Sequence, residues 1–146
     1  MKNNFVVGAI IIAVLAALVI PGYAPAQQPG IKRTELQRHD LSTPGREAIQ
    51  MRIDFDRGAM VPRHFHPGEE IVYVLKGWLE YQVGHDPPMR LNAGDVLFIP
   101  AGVIHTAKNV GDGGAAELAT YVVRKGRRLV TIVGEHHDPA GNLKID

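Results

Sequence analysis

The feature that most constrains the fold is a series of short β-prone runs, each closed by turn residues such as Gly, Pro, Asn or Asp. After residue 30, no stretch keeps a 3.6-residue apolar period for three turns without a Gly or a Pro. Short strands at even spacing, separated by turn signals, are typical of β-sandwiches and β-barrels. The sequence therefore predicts an all-β domain with strands at residues 48–55, 71–75, 78–83, 89–91, 96–99, 103–110, 117–123 and 129–133.

The N-terminus has the pattern of a secretory signal peptide. Lys2 precedes an apolar run at residues 5–20, Pro21 and Gly22 break the run, and Ala-Pro-Ala follows at 24–26. A positive start, an apolar middle and a small-residue end predict cleavage, here after Ala26. An uncleaved anchor is the alternative, although the run is shorter than the ~20 residues that span a bilayer. Residues 27–146 then form a single domain in the periplasm or outside the cell.

Composition narrows the chemistry that the domain can perform. The chain has no Cys, so any bound metal has only nitrogen and oxygen ligands. With 16 basic and 15 acidic side chains, the formal charge is +1. Nucleic-acid binders usually carry a basic excess or a basic stripe, so this balance argues against nucleic acid as a partner. We interpret the one basic cluster, at residues 124–128 around a Gly, as a solvated turn between two strands.

Three histidines and one glutamate lie next to turns, in an order that could bring their side chains together. His64 and His66 are two apart in a β-prone segment, so their side chains can point to one face of a strand. A Pro-Gly turn follows, and a hairpin-like return would set Glu70, at the start of the strand at 71–75, beside them. His105 follows a second Pro/Gly turn and opens another strand. From the residues alone, a metal site and a pair of exposed or hydrogen-bonded histidines both remain open.

These residues fit two motifs by which the cupin superfamily is recognised. The first is G-x(5)-H-x-H-x(3,4)-E-x(6)-G, met here by Gly58, His64, His66, Glu70 and Gly77. The second is G-x(5)-P-x-G-x(2)-H-x(3)-N, met here by Gly94, Pro100, Gly102, His105 and Asn109. Every spacing agrees, and the motif region covers residues 58–109. The chain thus resembles a small single-domain cupin with the type-2 conserved barrel, exported from the cytoplasm.

The resemblance implies a double-stranded β-helix, or jelly-roll barrel, with a metal bound in its mouth. It gives the ligand positions to His64, His66, Glu70 and His105. Imidazoles with one carboxylate suit Fe, Mn, Ni, Cu or Zn better than Ca or Mg, which prefer all-oxygen shells. Four protein ligands would leave two positions of an octahedral metal open, as a catalytic site requires.

Fold alone does not fix function, and several functions follow from the resemblance. The first is a metal-dependent enzyme on a small organic molecule, dioxygenase-like in the manner of quercetin dioxygenases, with Glu70 also available as a base. A metal-dependent lyase or isomerase is the next. A non-catalytic cupin that binds a small molecule or a metal is a further alternative, and a purely structural metal is the last. The resemblance and the exposed barrel edges also predict a homodimer, free of the membrane after signal cleavage.

Alternation along strands predicts which side chains face the barrel interior. If Glu70 points inward, Val72 and Val74 point inward as well, because side chains i and i+2 share a face. The opposite parity then packs outside or against a partner subunit, and it comprises Ile71, Tyr73 and Leu75.

Several other side chains receive specific predictions. Phe98 is expected to line the cavity beside His105, and Trp78 and Tyr81 are expected in the core rather than at an interface, which is the alternative. Asn109 is expected to form structural hydrogen bonds rather than to ligate. The tail at residues 135–146 is expected to be extended, and the histidines without supporting partners are expected to be solvated, namely His39, His85, His136 and His137.

Overall fold

The structure is a computed structural model that describes residues 28–134. The predicted signal segment, residues 1–26, lies outside this range, as do the predicted tail and its two histidines, His136 and His137. Within the described range no helix is long and apolar enough to cross a membrane. The described residues form ten strands: β1 (Ile31–Asp40), β2 (Arg46–Phe55), β3 (Met60–Phe65), β4 (Gly68–Lys76), β5 (Trp78–Val83), β6 (Met89–Asn92), β7 (Val96–Ile99), β8 (His105–Asn109), β9 (Ala115–Arg124) and β10 (Thr131–Ile132).

The strands form two five-stranded antiparallel sheets that enclose one core. The first has the order β1-β2-β9-β4-β7, and the second has the order β10-β3-β8-β5-β6. Consecutive strands therefore often pass from one sheet to the other, as in a jelly roll. This architecture confirms the predicted all-β jelly-roll barrel. Each of the eight predicted runs falls on a strand. Two strands were not among these runs: β1 was not predicted, and β3 was anticipated only as the β-prone segment that contains His64.

The inward side chains of both sheets build the core by alternation. In β4, Val72 and Val74 are fully buried, which confirms the predicted parity, and Ile71 and Tyr73 lie on the outer face. Tyr81 of β5 is buried, as predicted. Burying large apolar side chains in this way supplies most of the stability of such a domain.

Two predictions about aromatic side chains are wrong. Trp78 is 51% exposed, because it opens β5 with the parity opposite to buried Leu79 and Tyr81. Phe98 is 57% exposed, because it pairs with outward Ile71 and therefore shares the outer face of its sheet. The inward positions of β7 are those on either side of Phe98, and one of them, Ile99, is buried.

Glycines allow the close approaches and turns that the motifs require. The four motif glycines have positive φ, with values of 71°, 76°, 97° and 73° at Gly58, Gly77, Gly94 and Gly102. At Gly77 a Cβ would also lie 2.9 Å from the Cα of Ala115. At Gly68, which opens β4, a Cβ would overlap the carbonyl oxygen of Val122. Gly68 therefore lets β4 lie against β9 at the point where the chain enters the sheet.

Asn109, the last residue of β8, joins the turn between β2 and β3 to the loop between β8 and β9. Its buried amide nitrogen donates to the carbonyl oxygens of Asp56 at 3.0 Å and Gly113 at 2.7 Å, and it lies 3.3 Å from that of Phe55. Its amide oxygen accepts from the backbone N–H of Gly111 at 2.9 Å. Because buried backbone groups need partners, these bonds fix the loops. The structural role predicted for Asn109 is confirmed.

Candidate metal centre

The chain reaches the site from β3 by a crossover between the sheets. His64 lies in β3, and His66 lies one residue beyond its end. The prediction of a hairpin-like return to Glu70 is wrong, because β3 bonds to β8 and β10 and β4 bonds to β9 and β7. Residues 66 and 67 carry the chain from one sheet to the other, so Glu70 reaches the histidines across the barrel.

Both sheets contribute to the site. His64 is paired in register with His105, the first residue of β8. In the opposite sheet, Glu70 is paired with Tyr121 of β9 and with Ile99 of β7. The inward parity of these positions brings the three imidazoles and the carboxylate together at one point of the interior.

The four side chains are buried and close to one another. None is more than 5% exposed. Ligand nitrogens of His64, His66 and His105 all lie within 4.8 Å of one another. One carboxylate oxygen of Glu70, Oε2, is 3.1 Å from Nε2 of His66 and 3.1 Å from Nε2 of His105. The structure thus brings together all four residues that the sequence singled out.

Each histidine is oriented by a bond from its other ring nitrogen to a backbone carbonyl. Nδ1 of His64 is 2.7 Å from the oxygen of Pro62, and Nδ1 of His105 is 3.0 Å from that of Val103. Nδ1 of His66 is 2.7 Å from the oxygen of Leu129, just before β10. Since a carbonyl oxygen only accepts, each Nδ1 must donate. A neutral ring then has its lone pair on Nε2, the form in which imidazole binds metals.

Two buried polar atoms of the site without hydrogen-bond partners indicate whether a metal ion fits between the four side chains. Nε2 of His66 and Oε2 of Glu70 are buried and have no hydrogen-bond partner within residues 28–134. Two facing acceptors 3.1 Å apart repel unless a proton or a cation lies between them. Adjacent ligands of an octahedral metal, bound at about 2.1 Å, are about 3 Å apart, so the observed separation fits a shared ion. The donor set, three nitrogens and a carboxylate, is also one that transition metals accept.

Titration of the site favours the charge states that a metal needs. Burial, followed by the charges of His105 and His66, lowers the pKa of His64 to about 3. His64 is therefore neutral at pH 7. Burial alone would raise the pKa of Glu70, but the adjacent imidazoles of His105 and His66 outweigh it and hold the pKa below its usual range. Glu70 is therefore an anion in the interior.

Comparison with known proteins agrees with this geometry. The family model of the cupin domain matches residues 51–123, which hold the whole site. The chain belongs to the cupin family. In this cupin the match begins in β2 and ends in β9, so it includes every strand that contributes a residue to the site.

Similar proteins include a germin-like protein and a lyase. A probable germin-like protein of Arabidopsis thaliana is 37% identical over 75 residues, which are 48% of this cupin and 35% of that protein. The dimethylsulfoniopropionate lyase DddQ of Ruegeria pomeroyi is 41% identical over 51 residues, which are 35% of this cupin and 25% of the lyase.

Solved structures of two enzymes are similar to this cupin. The structure of the DddQ lyase gives a TM-score of 0.55 at 25% identity, covering 62% of this cupin and 45% of the lyase. An oxalate oxidase in complex with glycolate gives a TM-score of 0.59 at 27% identity, covering 72% of this cupin and 56% of the oxidase. The chain spans about a third of the length of the germin-like relative and about half that of the oxidase.

The cupin interior contains further polar side chains that the sequence did not single out. The ring of Tyr121 lies 4.8 Å from that of His66. Farther along the core, the hydroxyl of Tyr81 donates to Oε2 of Glu117 at 2.5 Å, and both residues are fully buried. Burial raises the pKa of Tyr121 well above its usual value, as does the nearby charge of Glu70. Inward parity from Ala119 along β9 was the sequence signal that could have identified Glu117 and Tyr121.

A mostly apolar cavity of about 370 Å³ lies at the same end of this cupin as His105. Val103, whose carbonyl oxygen orients His105, forms part of its wall, and Val83, the register partner of His105, forms another part. Phe98 lines this cavity from its rim rather than from the interior, and His85 is exposed beside it. The volume suits a small organic molecule.

Proposed function

We propose that this cupin is an exported metal-dependent enzyme that acts on a small organic molecule by dioxygenase-like chemistry. The observation that carries the proposal is a cluster of three buried imidazoles whose ligand nitrogens lie within 4.8 Å of one another, with the buried carboxylate of Glu70 3.1 Å from two of them. A cluster of this kind costs stability unless a cation occupies it. Export is supported by the pattern of residues 1–26.

In the proposal, His64, His66, His105 and Glu70 hold one divalent transition metal: Fe, Mn, Ni, Cu or Zn. When bound, such a metal supplies open positions that polarise substrate oxygens or bind dioxygen. The protein's own contribution is orientation: three backbone carbonyls hold the imidazoles with Nε2 toward the centre. Glu70, buried as an anion, is also the residue that would accept a substrate proton as a base.

Similarity to two enzymes suggests the substrate class. The lyase is named for dimethylsulfoniopropionate, and the oxidase for oxalate. Both compounds are small carboxylates, so small carboxylic acids are the first class to screen. A cavity of about 370 Å³ with apolar walls beside Val103 is large enough for such a molecule with a short apolar part.

A metal-dependent lyase is the second candidate function. The local identity of 41% with the DddQ lyase supports it. In lyase chemistry the same four residues would hold the metal, which would acidify the C–H group beside a substrate carboxylate. Glu70 would take that proton while the C–H electron pair forms the new double bond and the leaving group departs with its own bonding pair. The two candidates differ in one measurable respect, because only the dioxygenase consumes dioxygen.

The test is a reconstitution followed by a substrate screen. The exported protein is stripped with a chelator, loaded anaerobically with Fe(II), Mn(II), Ni(II), Cu(II) or Zn(II), and mixed with small carboxylates while oxygen uptake and products are recorded. Turnover with oxygen uptake supports the dioxygenase, and turnover without it supports the lyase or isomerase. Loss of turnover in Glu70→Gln, but not in Glu80→Gln on the outer side of β5, is expected in either case. Full metal loading without turnover on any compound would favour the non-catalytic binding protein.

A further inference from the structure

Arg33 lies on the inner face of β1, at the edge of the first sheet. Strand pairing sets it opposite Ile53 of β2, and Ile53 is in turn opposite Glu117 of β9. Both of these neighbours are buried, as is Ile31, the preceding inward residue of β1. Because side chains in register share a face of the sheet, Arg33 belongs to the same inward row as Glu117.

The guanidinium of Arg33 is partly buried and reaches groups of the barrel interior. Burial lowers its pKa, whereas Tyr121, Glu117 and Glu70 act on it electrostatically in the opposite direction. Charges separated by more than about 10 Å are largely screened, so the guanidinium lies near both Glu117 and the candidate metal centre. Arginine stays protonated in proteins, and Arg33 therefore places a permanent positive charge beside this centre.

No carboxylate neutralises this charge by direct contact within residues 28–134. The side-chain hydrogen bond of Arg33 goes to a neutral amide, because its Nη2 donates to Oε1 of Gln28 at 2.8 Å. Burial, followed by the charge of Glu70, raises the pKa of Glu117 to about 8, so this group is largely uncharged at pH 7. Glu70 is the carboxylate of the candidate metal centre, so its negative charge is needed there.

Other arginines of β1 and β2 do have carboxylate partners. Arg38 is 2.9 Å from Glu47, and Arg52 is 2.7 Å from Asp54. A partly buried cation without an anion is costly, because burial removes part of its hydration. Arg33 is therefore matched by an anion that the described part of the chain does not supply.

We propose that Arg33 binds the carboxylate group of the substrate and so orients the molecule at the metal centre. A guanidinium presents a planar fork of N–H donors that fits the two oxygens of a carboxylate. This subsite rests on the proposed function, because its ligand is the carboxylate of the proposed substrate. Glu35, two residues farther along β1, is exposed, so solvent reaches the barrel at this edge.

The position of Arg33 also gives the substrate a direction. β1 and β7 are the two outer strands of their sheet, and the cavity of about 370 Å³ is lined by Leu97 and Phe98 of β7. Arg33 and the cavity thus lie toward opposite edges of the barrel. A substrate bound by Arg33 has its carboxylate on the β1 side of the centre and its apolar part directed to the cavity.

Titration calorimetry of the purified, zinc-loaded protein tests the subsite. Sodium propionate and its neutral analogue propionamide are titrated, up to about 10 mM, in a buffer without carboxylates. The proteins are the wild type, Arg33→Gln, Arg33→Met and Arg33→Lys. The matched control is Arg52→Gln, which removes the same charge from the outer face of the neighbouring strand.

The expected result is a loss of affinity that depends on the charge of the ligand. Arg33→Gln and Arg33→Met are expected to bind propionate at least about tenfold more weakly than the wild type, because a charge-assisted contact is lost. Their affinity for propionamide is expected to stay within about twofold of the wild type. Arg33→Lys keeps the charge without the fork, so it is expected to recover part of the affinity. Arg52→Gln is expected to match the wild type.

Several results would overturn the proposal. One is equal propionate affinity in the wild type and in a folded, uncharged Arg33 variant, and another is a wild type that binds no propionate. Equal weakening of propionate and propionamide also overturns it, since Arg33 then acts on the shape of the site. Zinc content and the unfolding midpoint are measured for every variant. Failure of both Arg33→Gln and Arg33→Met to fold or to hold zinc overturns it as well, because Arg33 is then structural.

Turnover separates this subsite from the proposed enzymatic function. Propionate binding that depends on Arg33, with no small carboxylate turned over after loading with any of the metals, supports the subsite and contradicts the enzyme. Turnover of a small carboxylate with the same KM in Arg33→Gln and the wild type supports the enzyme and contradicts the subsite.

Discussion

Replacing Glu117 with Gln tests whether this buried carboxyl group keeps its proton in the folded protein. The replacement should change how the free energy of unfolding depends on pH. Glu117 is fully buried, and its one side-chain hydrogen bond within residues 28–134 comes from Tyr81, at 2.5 Å. Burial, followed by the charge of Glu70, raises its pKa from 4.5 to about 8, against the opposing effects of Tyr81 and Arg33. Glu117 is therefore protonated in the folded protein over a pH range in which the unfolded chain has lost that proton.

The sign and size of the effect follow from linkage. With a pKa of 4.5 unfolded and about 8 folded, the folded state binds more protons between these values. The stability contribution of Glu117 is therefore complete below about pH 4.5 and falls as the pH rises to about 8. The span corresponds to at most about 5 kcal/mol, a large share of the ~5–15 kcal/mol that stabilises a typical domain. Glutamine removes this titration and still offers Tyr81 a carbonyl acceptor.

Urea unfolding of the wild type and Glu117→Gln from pH 5 to pH 8.5, in the presence of a chelator, measures the effect. Titrations of the other groups are common to both proteins and cancel in the difference. The stability of Glu117→Gln relative to the wild type is expected to rise by a few kcal/mol across this range. Glu80→Gln, on the outer side of β5, is expected to run parallel to the wild type. If the free energies of unfolding of Glu117→Gln and the wild type changed in parallel with pH, the raised pKa of Glu117 would be contradicted.

Three further substitutions test the fold around the site by urea unfolding. Gly68→Ala is expected to lower the unfolding free energy by about 2–4 kcal/mol, because the new Cβ overlaps the backbone of β9, whereas Gly113→Ala, with open space at its Cα, is expected to change it little. Asn109→Ala is expected to cost about 2–4 kcal/mol, because buried backbone carbonyls lose their donor. Tyr81→Phe is expected to cost about 1–3 kcal/mol, because Glu117 loses its hydrogen bond. Changes within about 0.5 kcal/mol of the wild type in these three variants would contradict the corresponding contacts.

Much of the barrel could be predicted because most of its strands are short apolar runs bounded by turn residues in the sequence. β5 and β7 match the predicted runs residue for residue, since β5 lies between two Gly and β7 lies between a Gly-Asp turn and a Pro. β1 was missed because it is an edge strand whose side chains after Ile31 are mostly polar and exposed. Its pairing with β2 is visible only once both strands are placed, since it depends on contacts outside the segment.

The sequence predicted that the four site residues lie close together. It did not predict that the chain crosses from one sheet to the other between His66 and Glu70. Their order and spacing match the motifs, which tie His64, His66, Glu70 and His105 to one fold. A Pro-Gly pair between two strands fits a hairpin and a crossover equally well. The choice depends on the strands that each segment bonds to, and these lie 40 or more residues away for β3 and β8.

Alternation along a strand predicted the inward side chains correctly where one inward residue was already known, and wrongly where none was. Glu70 fixed the inward face of β4, so Val72 and Val74 were placed correctly. Phe98 was expected beside His105 although no inward residue fixed the parity of β7. The register of β7 with β4 pairs Phe98 with outward Ile71 and so places it on the outer face of the sheet.

The metal content of the purified protein tests directly whether His64, His66, Glu70 and His105 form a metal centre. Metal per chain is measured by plasma mass spectrometry after loading and desalting, for the wild type, His66→Ala and the control His39→Ala, whose histidine is exposed on β1. The account predicts about one transition-metal ion per chain in the wild type and in His39→Ala, and a loss of at least about tenfold in His66→Ala. Equal metal content in all three proteins, whether near zero or near one, would contradict a centre built from His64, His66, Glu70 and His105.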